Sequence, residues 1–154
     1  MESAVKPDWR GADAATAFAV ALALAAGAPG CMRAPDGPPA IAAGMPCVSC
    51  GMKVEDVRWA CERRDARGWR VYDSIECLLG DSTAAGPAWL TDWGGKRLHA
   101  SDSLWVVQGD VPSPMGGGYA AFLDRPAAEE VAAARRGRVA RLAEFSAGVR
   151  GGAQ

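Results

Sequence analysis

The sequence predicts an α+β fold: two small, similar units in tandem, set behind an export signal and a flexible tether. Three observations predict it. The order strand, Asp, short helix occurs over residues 70–80 and again over 119–137. A charge-free run at 14–26, AATAFAVALALAA, has the length of a secretory signal core and is short for a membrane span. Gly27, Pro29 and Gly30 stop it at once, and Pro35, Pro38 and Pro39 follow as linker. The expected partition is 1–30 for the export signal, 31–44 for the tether, 45–104 for the first unit, 105–147 for the second, and 148–154 for a frayed tail.

Composition sets the scale of the core. Hydrophobic residues make up 49% of the chain, but 32 of its 154 residues are Ala, while Ile, Leu, Val and Phe together number 26. A core so poor in large aliphatics is small, and Trp59, Trp69, Trp89, Trp93 and Trp105 are expected to fill what Ile and Leu do not. A net charge of −1 argues against a nucleic-acid partner, which calls for a basic face. No Gly-rich phosphate loop and no Ser/His/Asp set is present, so neither a small-molecule substrate nor catalysis is indicated.

The elements follow in order. In the first unit, Cys61 falls in a charged stretch read as a half-buried strand, and Arg70-Val71-Tyr72-Asp73 reads as a second. Asp73 and Glu76 have capping-box spacing and open a short helix through Ile75, Leu78 and Leu79 that Gly80 ends. Cys77 reads there as a small buried hydrophobe rather than a ligand. In the second unit, Leu104–Val107 and Tyr119–Leu123 read as strands by aromatic and β-branched content. Asp124-Arg125-Pro126 opens a helix that carries Glu129 and Glu130 early, Arg135 and Arg136 late, and stops at Gly137. Val139–Phe145 is expected to return as a last strand.

The chemistry is concentrated in sulfur. Met45-Pro46-Cys47-Val48-Ser49-Cys50-Gly51-Met52 places four sulfur atoms in eight residues. A Cys-x-x-Cys pair lets two thiolates converge on one atom, and Gly51 permits the bend this needs. Met115 sits in a second motif, Pro112-Ser113-Pro114-Met115-Gly116-Gly117-Gly118. Neither motif is an apolar run, where Met usually fills core gaps. Thiolate with thioether is the soft donor set that suits Cu(I). Other readings stay open. Cys47, Cys50, Cys61 and Cys77 could form a Cys₄ zinc staple, although a second close Cys pair is missing. Cys47 and Cys50 could serve thiol–disulfide exchange, and any two of the four could pair as a disulfide. His99, the sole histidine, reads as a solvated loop residue and a possible further ligand; Met45 and Cys47 are further candidates.

Cys50-Gly51-Met52, Tyr72-Asp73-Ser74-Ile75-Glu76-Cys77 and Val111–Phe122 together resemble the NosL family, in the same order and at similar separation. The resemblance covers about residues 45–146. It implies two ββαβ units similar to the organomercurial lyase fold, a non-enzymatic role as a Cu(I) chaperone, and Cys50, Met52 and Met115 as ligands. It also implies delivery to a client cuproenzyme, nitrous-oxide reductase, through a membrane assembly factor. Location at the periplasmic face follows, with Cys31 as the lipid-bearing cysteine although its lipobox is poor. Cys47 is a departure, since many members lack it.

Overall fold

The computed structural model describes residues 37–83 and 85–151, with side chains through Ser146. The signal, Cys31 and the tether through residue 36 lie outside the described residues. The first half runs β1 (Cys61–Asp65), β2 (Gly68–Tyr72), α1 (Ile75–Gly80), β3 (Ala88–Thr91) and β4 (Leu98–Ala100). The second runs β5 (Trp105–Gln108), β6 (Tyr119–Phe122), α2 (Arg125–Ala134) and β7 (Arg138–Ala140), then α3 (Leu142–Gly151). Sheet orders are β2-β1-β3-β4 and β6-β5-β7, with every strand pair antiparallel. Each half is thus a ββαβ unit with its first strand in the middle, and β4 is an added edge.

Strand alternation sorts β1 cleanly. Cys61 lies opposite Tyr72 and Leu90, so these three share the inner face; Glu62 lies opposite Val71 and Trp89 on the other. The inner face joins one buried cluster that draws Tyr72, Leu78 and Leu90 from the first half and Leu104, Val106, Tyr119 and Phe145 from the second. A parallel bridge between Asp92 and Ala121 ties the sheets. There the Trp93 amide donates to the Ala121 carbonyl at 2.8 Å, and Asp92 Oδ1 accepts from the Leu123 amide at 2.9 Å. The halves share this core, and each also keeps a smaller buried cluster, Val54, Ala60 and Val71 in the first and Val107, Phe122, Ala128 and Ala132 in the second.

Several expectations are corrected. Val139–Phe145 is not one strand: β7 ends at Ala140 and α3 begins at Leu142. Leu142 and Phe145, three apart, both face the core, and Glu144 Oε1 accepts from the Arg141 amide at 2.8 Å across the helix start. Residues 148–151, assigned to a frayed tail, continue the α3 backbone. The α1 cap is Ser74, one residue later than read, its Oγ accepting from the Cys77 amide at 3.3 Å. Asp124 does cap α2, accepting from the Ala127 amide at 3.2 Å. That helix ends at Ala134 rather than Gly137: the Gly137 amide returns to the Ala132 carbonyl at 2.8 Å with Arg136 left-handed at φ 49°. The five tryptophans are half-buried rather than central. Four of them pair edge to face, Trp59 with Trp93 and Trp69 with Trp89, and Trp69, Trp93 and Trp105 carry guanidinium groups on their rings.

The loop between β5 and β6 closes at its neck, where the Gly109 amide donates to the Gly118 carbonyl at 3.0 Å. Gly118 has φ +75°, and a Cβ there would lie 1.9 Å from the Gly109 carbonyl oxygen. Only glycine fits that crossing.

Candidate metal centre

The Cys-x-x-Cys-Gly-Met segment forms the tip of a small hairpin. Pro46 bridges Lys53, the Cys47 amide donates to the Met52 carbonyl at 2.7 Å, and the Gly51 amide donates to the Cys47 carbonyl at 2.9 Å. Gly51 turns the chain at φ +77°, as its position required. The Val48 amide donates to the Val71 carbonyl at 3.0 Å, which docks the tip on β2. The tip therefore lies over the start of α1.

That placement assembles a cluster. The sulfurs of Cys47, Cys50 and Cys77 and a carboxylate oxygen of Asp73 all lie within 4.8 Å of one another. Cys47, Asp73 and Cys77 are buried, at 2%, 3% and 5% exposure, whereas Cys50 is exposed. Both Asp73 oxygens are buried without an N–H or O–H donor, and their polar neighbour is the Cys77 thiol. Burial pushes the Cys77 thiol well above its ordinary range, and the neighbouring Asp73 carboxylate pushes it further. Cys50 is also raised, by burial first and by the neighbouring Cys47 thiol, against an opposing hydrogen bond at Met52. Cys50 and Cys77 thus rest as thiols and lose their protons when a cation enters. All four described cysteines are free. A dithiol redox centre relies on a thiolate stabilised at a helix start; this pair sits in a hairpin turn with Cys50 raised.

Beside the cluster opens a cleft of about 770 Å³, lined by Gly51, Met52 and Asp73 from the first half and Pro112, Ser113 and Pro114 from the second. Met115 follows directly and is 45% exposed, as is Met52. The α1 residue Glu76 holds this loop: Ser113 Oγ donates to its Oε1, and the Gly118 amide donates to Ser113 Oγ at 2.9 Å.

The remaining expected ligands stand elsewhere. Met45 packs against the cluster of Val54, Ala60 and Val71, its sulfur accepting from the Ala42 amide at 3.2 Å. His99 is on edge strand β4 opposite Leu90, not on a loop. Cys61 is wholly buried rather than half-buried; its thiol donates to the Ser74 carbonyl at 3.3 Å, and burial drives its pKa far up. It is not in the four-residue cluster. Cys77, read from sequence as core, is in it, and so is Asp73, read as a cap. Ser74 takes the capping role, which leaves the Asp73 carboxylate free to face the thiols.

No protein-family model matches the chain, and no curated protein is detectably similar in sequence. Among solved structures, the crystal structure of the copper chaperone NosL from Shewanella denitrificans superposes with a TM-score of 0.59, at 17% identity. The match covers 70% of this chain and 94% of that one. The chain has the NosL fold. In this chain the first two of the three motifs meet at one cluster, and the third contributes Pro112, Ser113 and Pro114 to the cleft beside it. At 17% identity it is the fold that is shared.

Proposed function

We propose that the protein binds one Cu(I) ion through Cys50, Met52 and Met115 and hands it on, acting as a chaperone rather than an enzyme. One observation carries this reading: half-exposed Met52, two residues after exposed Cys50, lines a cleft together with Pro112, Ser113 and Pro114, the loop segment that leads into half-exposed Met115. Exposed methionines at a cleft rim contribute little to the core and much to soft-metal capture. One thiolate anchors Cu(I), and two neutral thioethers complete the shell without adding charge. A three-coordinate ion at an open cleft leaves room for an incoming ligand, so transfer proceeds by stepwise exchange. The NosL fold supports copper as the cargo.

The expected client is a cuproenzyme, nitrous-oxide reductase, reached through a membrane assembly factor from the periplasmic face, with Cys31 as the lipid-bearing residue. These assignments rest on the motif resemblance and on the signal-like run at 14–26. Mass spectrometry of the mature N-terminus checks the anchor.

The deciding experiment is an anaerobic Cu(I) titration against a chromophoric chelator. Met115→Ala is expected to lower affinity about tenfold or more, equivalent to about 1.4 kcal/mol. Because Met115 is half-exposed, its thermal midpoint stays within about 2 °C of wild type. An unchanged Cu(I) affinity overturns the two-loop site.

A further inference from the structure

We infer that the outer face of the first sheet rests on an anionic phospholipid surface, with Trp69 and Trp89 at headgroup depth and Arg64 and Arg67 on the phosphates. The inference extends the lipid-anchor reading of Cys31 and rests on it. Alternation puts Glu62 and Arg64 of β1, Trp69 and Val71 of β2 and Trp89 of β3 on one side of the sheet. β1 lies between β2 and β3, so the two indoles meet across it, with ring centroids 4.8 Å apart. Both are half-buried, and the Arg64 guanidinium stands over Trp69 at 5.4 Å. An indole joins a large apolar ring to one polar N–H, and an arginine joins a weakly hydrated cation to an apolar stem. Such side chains favour a membrane–water interface.

Charge and chain direction select the occupant. Among the strand positions of this face, the charged side chains are exposed Arg64 and buried Glu62. Arg67, in the β1–β2 turn, adds a second exposed cation. These positions offer solvent cations and no carboxylate, which suits anionic headgroups. The tether joins the domain on the same side. Ile41 packs against Val54, Ala60 and Val71, and Val71 belongs to this face. Cys31 precedes Ile41 by ten residues. Their extended reach is at most about 35 Å, about the width of a domain of this size. An acyl group on Cys31 therefore brings this face, rather than the opposite one, to the bilayer. Cys47 and Cys77 pack instead with the inner-face residues Cys61, Tyr72 and Leu90, so lipid contact leaves the thiol cluster clear.

The test uses the full-length protein, produced with its signal in a bacterial host. It is reconstituted on vesicles of phosphatidylcholine and phosphatidylglycerol whose acyl chains carry bromine, which quenches nearby indoles. Wild-type emission is expected to fall on brominated vesicles and to hold on unbrominated ones. Trp69→Phe combined with Trp89→Phe is expected to lose most of that quenching, while Trp105→Phe, in the second sheet, retains it. Arg64 and Arg67 are exposed, so Arg64→Gln with Arg67→Gln probes the face without disturbing the core. That variant, like wild type on vesicles lacking phosphatidylglycerol, is expected to lose about half of the quenching or more. Unchanged quenching in either double variant overturns the lipid face. Mass spectrometry of the N-terminus separates this result from the anchor. Protein acylated on Cys31 and bound to vesicles, yet unquenched, overturns the face and leaves the anchor standing. Protein without an acyl group that is still quenched through Trp69 and Trp89 supports the face and removes the anchor. Loss of self-association in Trp69→Phe with Trp89→Phe, with quenching intact, assigns the face to a second copy of the chain and overturns the lipid reading.

Discussion

Ser113 Oγ donates a hydrogen bond to Glu76 Oε1, thirty-seven residues earlier in the chain, while accepting one from the Gly118 amide. The pair ties the methionine loop of the second half to the helix that carries Cys77. A Cβ on Gly117 would lie 2.4 Å from the Glu76 side chain, so the loop is fitted around this contact.

Removing it should cost cargo affinity without touching a ligand. Ser113→Ala is expected to weaken Cu(I) binding by about three- to tenfold, the scale of one charge-assisted hydrogen bond after partial relaxation. Glu76→Gln, whose amide oxygen still accepts, should lie nearer wild type. A Ser113→Ala affinity within twofold of wild type would mean that the prolines alone hold the loop.

Glu62 gives the stability curve a sign. It is fully buried on the outer face of β1 with neither oxygen hydrogen-bonded, and burial pushes its carboxyl from 4.5 up to about 7. Between those values the folded chain holds a proton that the unfolded chain has lost. Stability from this group is therefore fully present below about pH 4.5 and is lost as pH rises through about 7. Glu62→Gln should flatten that slope and gain on the order of 1–3 kcal/mol at pH 8. Urea melts at pH 5 and pH 8 decide it; an unchanged slope in the variant excludes Glu62 as the source.

Arg136 occupies the left-handed position that ends α2, at φ 49°, where glycine is the common residue. Its ion pair with Asp110 is exposed on both sides and contributes little. Arg136→Gly is accordingly expected to stabilise the protein by about 0.5–1 kcal/mol, read as a higher thermal midpoint. A lower midpoint would mean that the Asp110 pair outweighs the backbone strain.

The parts of the fold legible in sequence were those marked by local punctuation. Asp124 and Pro126 marked the start of α2, and the Gly51 turn was plain from composition. What escaped were features set by tertiary contact. Edge strand β4 has three residues and exists because it pairs with β3, so His99 read as loop. The α3 signal was present as Leu142 and Phe145 three apart with Glu144 between, but the β-branched Val139 before them suggested a strand. Cys50 and Met52 are visible in one motif, and Met115 by its Pro and Gly flanks. Cys77 and Asp73 were hidden by good local explanations, a helix interior and a helix cap. Only when the hairpin tip folds over α1 do they meet Cys47 and Cys50.

The crossing of Gly109 and Gly118 has an evolutionary consequence. Because the β5–β6 connection is pinched shut by backbone contact at its base, everything between the two glycines hangs outside the sheet ladder. Insertions, deletions or a change of donor residue there leave strand register untouched. Asp110, whose amide donates to the Arg135 carbonyl, and Val111, buried in the second half's core, stay with the scaffold, so descendants of this chain can be retuned to a different cargo or recipient by rewriting residues 112–117.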